Sequence, residues 1–443
     1  MNSATPFNFI DLCAGCGGLS LGLMNAGWEG LFAVEKDKDA FSTLQQNLVK
    51  DGEDGRFKWP AWLPQKAISL ESLLSNHEDN LKKHRGRVTL LAGGPPCQGF
   101  SSVGRRLAHD PRNQVFKNYI KLVELLQPKA VLMENVRGIL HPFKSDAPGK
   151  PPIYADLIKS ALHELDYEVW YAIVHSKDYG VPQTRPRFIL VGIRREGRKH
   201  LASLKPFDIL QSSRIEFLRR KKLNSAPVTV KEALSDLCTT GNRLESCTDT
   251  PRFMQGHYGA QTSDYQRLLH GRMNGELADS HRFAKHRPET VEKFKWFLKN
   301  CDKGKKLEQD ERGEYANKKH MVYILSPAQP APTVTTLPDD LLHYSEPRIL
   351  TVREMARLQS FPDWFNFKGK YTTGGDRRTK ECPRYTQVGN AVPPLLAEAL
   401  GGMLISLIGV AKNVAVMPSF PVTAMPKVGA NPNGIRTFMA PVK

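Results

Sequence analysis

The sequence predicts an α/β fold, a doubly wound and mostly parallel sheet, interrupted late in the chain by a second, smaller and basic domain. Three observations predict it. Short apolar runs of strand length alternate with amphipathic stretches from Phe7 to Ile193. The first strand candidate ends in a glycine-rich turn that opens directly into a helix candidate. From about Arg194 the alternation stops, and basic clusters with scattered aromatics take over until about Tyr323. At 443 residues the chain is too long for one simple core.

Taken in order, Phe7 to Leu12 is the first strand, AGCGG the turn and Leu19 to Ala26 the first helix. Leu31 to Val34 is a second strand ending at Glu35, about twenty positions past the turn, where an acidic residue can grip a ribose hydroxyl. A solvated surface carboxylate is the plainer reading of the same residue. Between Lys50 and Arg87 the sequence reads as irregular, with Trp59, Pro60, Trp62 and Pro64 indicating a packed loop. Val88 to Ala92 is a buried strand, Val115 to Leu126 a helix, and Ala130 to Met133 a strand running into Glu134-Asn135-Val136. Ile153 to Leu165 reads as a helix, with strands at Val169 to Val174 and Phe188 to Ile193. Regularity returns in helices at Thr351 to Gln359 and Pro393 to Leu407. The tail beyond Ala411 has no acidic residue and is expected to be poorly ordered.

The formal charge of +18 and a pI near 9.5 point to a polyanionic partner, nucleic acid first. A merely solvated basic surface is the alternative. No run reads as long and apolar enough to span a bilayer, and the N-terminus lacks a charged-then-apolar signal. Seven scattered cysteines suit a reducing compartment, so a cytoplasmic, nucleoid-associated protein is expected. Cys13 and Cys16 form a C-x-x-C pair with no second pair at zinc spacing, so no metal site is expected.

The chemistry centres on VTLLAGGPPCQGFSS, Val88 to Ser102. A buried strand ends at Gly93-Gly94, two prolines stiffen the chain, and Cys97 follows at once. A thiol just past the carboxyl end of a strand stands where open α/β sheets place their chemistry. Alone, Cys97 reads as well as a small buried hydrophobe.

Five further stretches decide between these readings. With GGPPCQGFS (Gly93 to Ser101) stand DLCAGCGG (Asp11 to Gly18), ENV (Glu134 to Val136), QTRPRF (Gln183 to Phe188), REMARLQSFPD (Arg353 to Asp363) and QVGNAVPP (Gln387 to Pro394). Together and in this order they closely resemble the DNA cytosine-5 methyltransferase family, in its compact bacterial modification-enzyme form. The resemblance covers most of Asn8 to Ile193 and Arg348 to about Leu404. It implies a Rossmann-like methyltransferase sheet over 1–193 and 346–410, a target-recognition domain over 194–345, and a tail over 411–443.

The resemblance also implies roles. Cys97 matches the nucleophile that adds to C6 of cytosine, a step suited to a thiolate because C5 alone is a poor nucleophile. Glu134 matches the carboxyl group at N3, Arg185 an arginine near O2, and Arg187 an arginine that braces the site by pairing with acidic groups. For S-adenosylmethionine the matching positions are Asp11, Gly15, Gly17, Gly18, Leu19, Glu35 at the ribose, Pro95, Asn390 and Val392. The stretch Gln98 to Asn113, carrying Ser101, Arg105, Arg106 and Arg112, resembles the loop that closes over a flipped base. Two departures stand out. Cys13 replaces a phenylalanine common in the family, and Gln65 to Leu70 offers only Ser69 where many members hold the adenine with an acidic residue.

The implied partner is double-stranded DNA, bound by a monomer, with functional pairing to a restriction or phage-defence system. A tRNA cytosine-5 methyltransferase and an inactive DNA-binding protein on the same scaffold are the competing readings. The long basic segment favours DNA, and the set Cys97, Glu134 and Arg185 favours an enzyme.

Overall fold

The computed structural model describes residues 7–49, 56–96, 113–142, 153–197, 199–271, 273, 277–316, 322–373, 377 and 380–411. Cys97, Gln98, Ser101, Arg105, Arg106 and Arg112 lie outside these, as does the tail, and of Asn113 only the backbone is described.

Among the described residues, six strands form the central sheet: β1 (Asn8–Leu12), β2 (Glu29–Val34), β3 (Leu90–Gly93), β4 (Ala130–Val136), β5 (Tyr167–His175) and β6 (Pro186–Arg194). Their order is β2-β1-β3-β4-β6-β5. Pairing is parallel from β2 through β4, and β6 runs antiparallel to both its neighbours. The reversal follows from chain length. Only residues 176–185 separate β5 from β6, too few for the dozen or more a parallel crossover needs.

Side chains alternate across the strands as the pleat requires. Phe9, Leu90, Ala92, Leu132, Ile189 and Val191 face one apolar core. Ile10, Leu12, Leu91, Val131, Met133 and Leu190 face the other. Helices α1 (Gly18–Asn25) and α2 (Lys38–Leu44) follow the first two strands, and α3 (Leu70–Lys82), α4 (Asn113–Leu126) and α5 (Tyr154–Glu164) cover the second face. The sheet is therefore wound on both faces.

Helix α3 corrects the expectation of irregular chain from Lys50 to Arg87. Leu70, Leu73, Leu74 and Leu81 are buried at helical spacing, and Ser69 caps the start by accepting from Ser72 N at 3.0 Å. The aromatic loop before it does pack. Trp59 meets Phe57 at 5.7 Å and Phe41 at 6.0 Å between ring centroids, and its Nε1 donates to Leu63 O.

Past β6 come α6 (Pro206–Ser212), α7 (Arg214–Arg220), α8 (Val230–Leu234), α9 (Asp264–His270) and α10 (Pro288–Asn300). With them stand a small antiparallel sheet, β7 (Leu244–Ser246), β8 (Met254–His257) and β9 (Leu277–Arg282), and a short parallel pair, β10 (Tyr323–Ile324) and β11 (Leu341–Leu342). Leu210, Phe217, Leu234 and Tyr265 join the same apolar core as α1, so packing is continuous across residue 194. Phe294, Phe297, Leu307, Ile324, Leu342 and Ile349 form a separate small cluster around α10.

The chain then returns through α11 (Val352–Leu358), α12 (Arg384–Asn390) and α13 (Pro394–Ala411). Thr351 and Glu354 close a capping box on α11. The stretch Arg384–Gly409, which holds α12 and most of α13, corrects a second expectation, because by length and composition alone it could cross a bilayer. It belongs to the core instead: its most apolar part is 89% buried within the protein, and Trp28 Nε1 donates to Gly401 O at 3.1 Å where α13 lies beside α1.

Candidate active site

The carboxyl ends of β3 and β4 bring the Pro95 turn and Asn135 together. Asn135 Nδ2 donates to Pro95 O at 3.0 Å, which ties the proline turn to β4 two residues before the cysteine. The neighbouring Glu134 and Arg187 are both almost fully buried, 8% and 7% exposed. Their contact follows from strand register. Val136 pairs with Arg187 in the antiparallel β4–β6 ladder, so Glu134, two residues back, is the diagonal neighbour of Arg187 on the same face. Arg187 Nε lies 2.8 Å from Glu134 Oε1. A Cβ at Gly94 would stand 3.3 Å from Glu134 Oε2, so the absence of a side chain there leaves the carboxylate its space.

Arg185 is placed differently. Only 1% of it is exposed. Its guanidinium donates to Val334 O at 3.0 Å, Gly389 O at 2.8 Å, Ala391 O at 3.0 Å and Gln183 Oε1 at 3.3 Å. It reaches into the backbone around Asn390. Of the two arginines in QTRPRF, Arg187 is the one beside Glu134.

At the amino-terminal half of the sheet, the glycine turn carries two left-handed residues that a glycine adopts freely, Gly15 (φ 56°) and Gly17 (φ 96°). Gly17 caps α1 without a side chain. Glu35, at the end of β2, accepts from Gly15 N at 2.9 Å and from Asp37 N at 2.8 Å. Burial pushes its carboxyl up, and the two backbone N–H groups pull it partly back. Asp11 is fully buried beneath the turn and accepts from Ser20 Oγ at 2.6 Å. Burial raises its carboxyl to about 7 against that hydrogen bond, with the charge of Glu35 adding to the rise.

Gly18 and Leu19 serve packing. A Cβ on Gly18 would stand 2.3 Å from Val392 O, and Leu19 is 3% exposed in the core. Val392 is buried, whereas Asn390 is exposed at the end of α12. Cys13 is itself left-handed (φ 56°). Cys16 is buried, and burial pushes its thiol up to about 12. Among the described residues no cluster of three or more His, Cys, Asp or Glu could hold a metal.

These residues fit an S-adenosyl group. Asp11 Oδ1 is buried without a hydrogen-bond partner among the described residues, and nothing lies within 4 Å of where a Gly15 Cβ would project. Glu35 offers a carboxylate beside that opening, and Ile68 N donates to Glu35 O, so the stretch from Gln65 to Leu70 runs alongside it. Ser69 is engaged in capping α3.

Sequence reasoning missed three polar residues here: Asn135, Gln183 and Gln359. Each sits inside a stretch already singled out, so the signal was present. Their partners, Pro95 and the backbone at Val334 and Val388, are distant in sequence.

A Rossmann-like sheet carries a glycine turn beside Glu35 on one half and a buried carboxylate–arginine pair on the other, and the family match makes it a methyltransferase that uses S-adenosylmethionine. The chain belongs to the C-5 cytosine-specific DNA methylase family, whose sequence model matches residues 7–406; it is a DNA cytosine-5 methyltransferase. It is 32% identical over 408 residues to the Type II methyltransferase M.DdeI of Desulfomicrobium norvegicum, covering 89% of this chain and 87% of that one. It is 29% identical to the Type II methyltransferase M1.HphI of Haemophilus parahaemolyticus, covering 90% and 87%. Among solved structures it is similar to one described as a DNA modification methyltransferase encoded within an Escherichia coli prophage, with a TM-score of 0.60 and 25% identity over 91% of this chain and 99% of that one.

Proposed function

We propose that this protein methylates C5 of a cytosine within a specific double-stranded DNA sequence, through a covalent bond from Cys97 to C6 of a base flipped out of the duplex. The observation that carries the proposal is the Glu134–Arg187 pair at the end of β4, beside a proline turn that Asn135 fixes just before Cys97. The Cys97 thiolate attacks C6, and the ring electrons shift towards N3 and C5. Glu134 meets N3, and Arg187 holds that carboxyl in place and faces O2. Arg187 takes this role in place of Arg185, whose two terminal nitrogens donate to backbone carbonyls. When bound, S-adenosylmethionine supplies the electrophilic methyl group that C5 captures. Loss of the C5 proton then expels Cys97 and restores the ring.

On the cofactor side Glu35 holds the ribose, the open backbone at Gly15 and the buried Asp11 receive the methionine end, and Pro95, Asn390 and Val392 close the pocket. Gly17, Gly18 and Leu19 shape the turn. Residues 1–193 and 346–410 form the catalytic part, 194–345 reads the target, and the loop bearing Gln98, Ser101, Arg105, Arg106, Arg112 and Asn113 closes over the extruded base. The enzyme works as a monomer on DNA in the cytoplasm, paired with a restriction nuclease, as the Type II names of its relatives support.

Transfer of a radiolabelled methyl group to DNA tests this. Cys97→Ala should abolish transfer while DNA and S-adenosylhomocysteine still bind. Transfer near the wild-type rate would refute the covalent route.

A further inference from the structure

Arg185 stands at the centre of a buried polar node. Gln183 Nε2 donates to Leu358 O at 3.0 Å and to Gln359 Oε1 at 2.9 Å, while its Oε1 accepts from Val334 N at 2.8 Å. Gln359 Nε2 donates to Val388 O at 2.7 Å and Ala391 O at 3.3 Å. The Arg185 guanidinium completes the set, with one nitrogen, Nη2, reaching both Gly389 O and Ala391 O. Those carbonyls flank Asn390, so one side chain grips the backbone on either side of it. They also lie at the end of α12, where helix carbonyls lack internal partners and a cation is favoured.

The residues just past Asn390 touch both halves of the site. Val392 O lies against Gly18 in the glycine turn, and Val392 Cγ2 would stand 4.0 Å from a Cβ on Gly94, just before the Pro95 turn. The position of residues 389–392 therefore sets the contact with the glycine turn at Gly18 and with the turn at Gly94.

We infer that Arg185 is a positioning residue for the methyl donor, holding the Gly389–Val392 segment in register against the glycine turn, and that it does not touch the cytosine. This rests on the cofactor-site reading proposed above. Both terminal nitrogens of the buried guanidinium are bonded to protein oxygens, and Glu134 already has Arg187. A lysine keeps the charge but is a point donor without the planar fork, so it cannot span Val334 O and both carbonyls of the segment.

The test is calorimetric binding of S-adenosylhomocysteine without DNA, together with binding of two duplexes that differ only in having cytosine or an abasic target. Arg185→Lys should weaken the cofactor analogue at least tenfold, which is about 1.4 kcal/mol. It should raise the KM for S-adenosylmethionine in step, leaving the ratio between the two duplexes unchanged. Unchanged analogue affinity with a collapsed duplex ratio would overturn the inference. If Arg185→Lys lacks a cooperative melting transition, Gly389→Ala decides. Its Cβ would stand 2.4 Å from Thr335 O and must shift the segment. The same tenfold weakening supports the inference, and unchanged affinity overturns it. Glu35→Ala separates the two levels: analogue binding untouched by it would bring down the pocket assignment and the Arg185 role together, whereas failure of the Arg185 and Gly389 variants alone would leave the pocket standing.

Discussion

Replacing Arg357 with alanine should cost more stability than any exposed substitution. Arg357 is fully buried in α11 and meets two carboxylates that are buried as well. It reaches Asp236 Oδ2 at 2.9 Å and Asp363 Oδ2 at 2.6 Å, with further bonds to Asp236 Oδ1, Asp363 Oδ1 and Ala233 O. The cluster joins the segment after α8 to the returning chain. Burial pushes Asp363 up, but Arg357 outweighs it and holds the carboxyl well below the usual range. Removing one partner of a buried pair costs about 3–5 kcal/mol because an uncompensated charge remains. Here two carboxylates lose the same partner, so a loss of about 5 kcal/mol is expected at pH 7, a large share of the roughly 5–15 kcal/mol that stabilises a typical domain.

The two carboxylates differ, since burial pushes Asp236 up in spite of Arg357 while Asp363 is held low, so the acid-side part of the pH dependence is that of Asp363. Its depressed value contributes stability above the unfolded pKa of about 4, and that contribution is lost as pH falls through its folded value. The deficit of the variant should therefore shrink below about pH 4. Urea unfolding followed by circular dichroism measures it. Replacing all three residues together, by Met at 357 and Leu at 236 and 363, should recover much of the deficit, since apolar groups can replace a buried ion cluster at little net cost. A loss under about 1 kcal/mol for Arg357→Ala, the value of an exposed pair, would refute this reasoning.

Three further outcomes are expected. Asp11, raised by burial to about 7, favours the folded chain when protonated; that stability is full below about pH 4 and is lost as pH rises through 7. Asp11→Asn should therefore flatten the fall in apo-protein stability between about pH 4 and pH 7, up to about 4 kcal/mol, and an unchanged profile would count against a buried acid at this position. Glu134→Gln should slow methyl transfer by about 10²–10⁴ while DNA affinity changes little, because its contact strengthens as charge develops on the ring; equal losses in both would make Glu134 structural. Exchanging 194–345 for the corresponding segment of a relative with another target should transfer that relative's site, read by bisulfite sequencing, and an active chimera keeping the original site would contradict the assignment.

Much of the sheet could be read from sequence because buried parallel strands are short apolar runs, and β1, β3 and β4 are that plainly. Helix α3 was hidden because the tryptophans and prolines before it dominate the stretch, while its four buried leucines sit among Ser, Asn, Glu and Asp. Glu35 was legible from its distance to the glycine turn, and the structure brings its carboxylate to Gly15 N. The different surroundings of Arg185 and Arg187 were not legible. The two share a parity, so alternation cannot separate them. What separates them is that Arg187 enters the β4–β6 ladder while Arg185 stops short of it, beside Val334 and Gly389. Those partners lie about 150 and 200 residues away in sequence, beyond any local pattern.

The central claim is covalent catalysis by Cys97, and trapping measures it most directly. A duplex carrying 5-fluorocytosine at the target lets methyl transfer proceed but leaves no C5 proton to remove, so the Cys97–C6 bond cannot break. Incubation with S-adenosylmethionine should yield a denaturation-resistant protein–DNA adduct, with peptide mass spectrometry placing the methylated fluorocytosine on Cys97 and Cys97→Ala giving none. An enzyme that methylates the unmodified duplex yet forms no adduct on the fluorinated one, or forms it on another residue, would contradict the account.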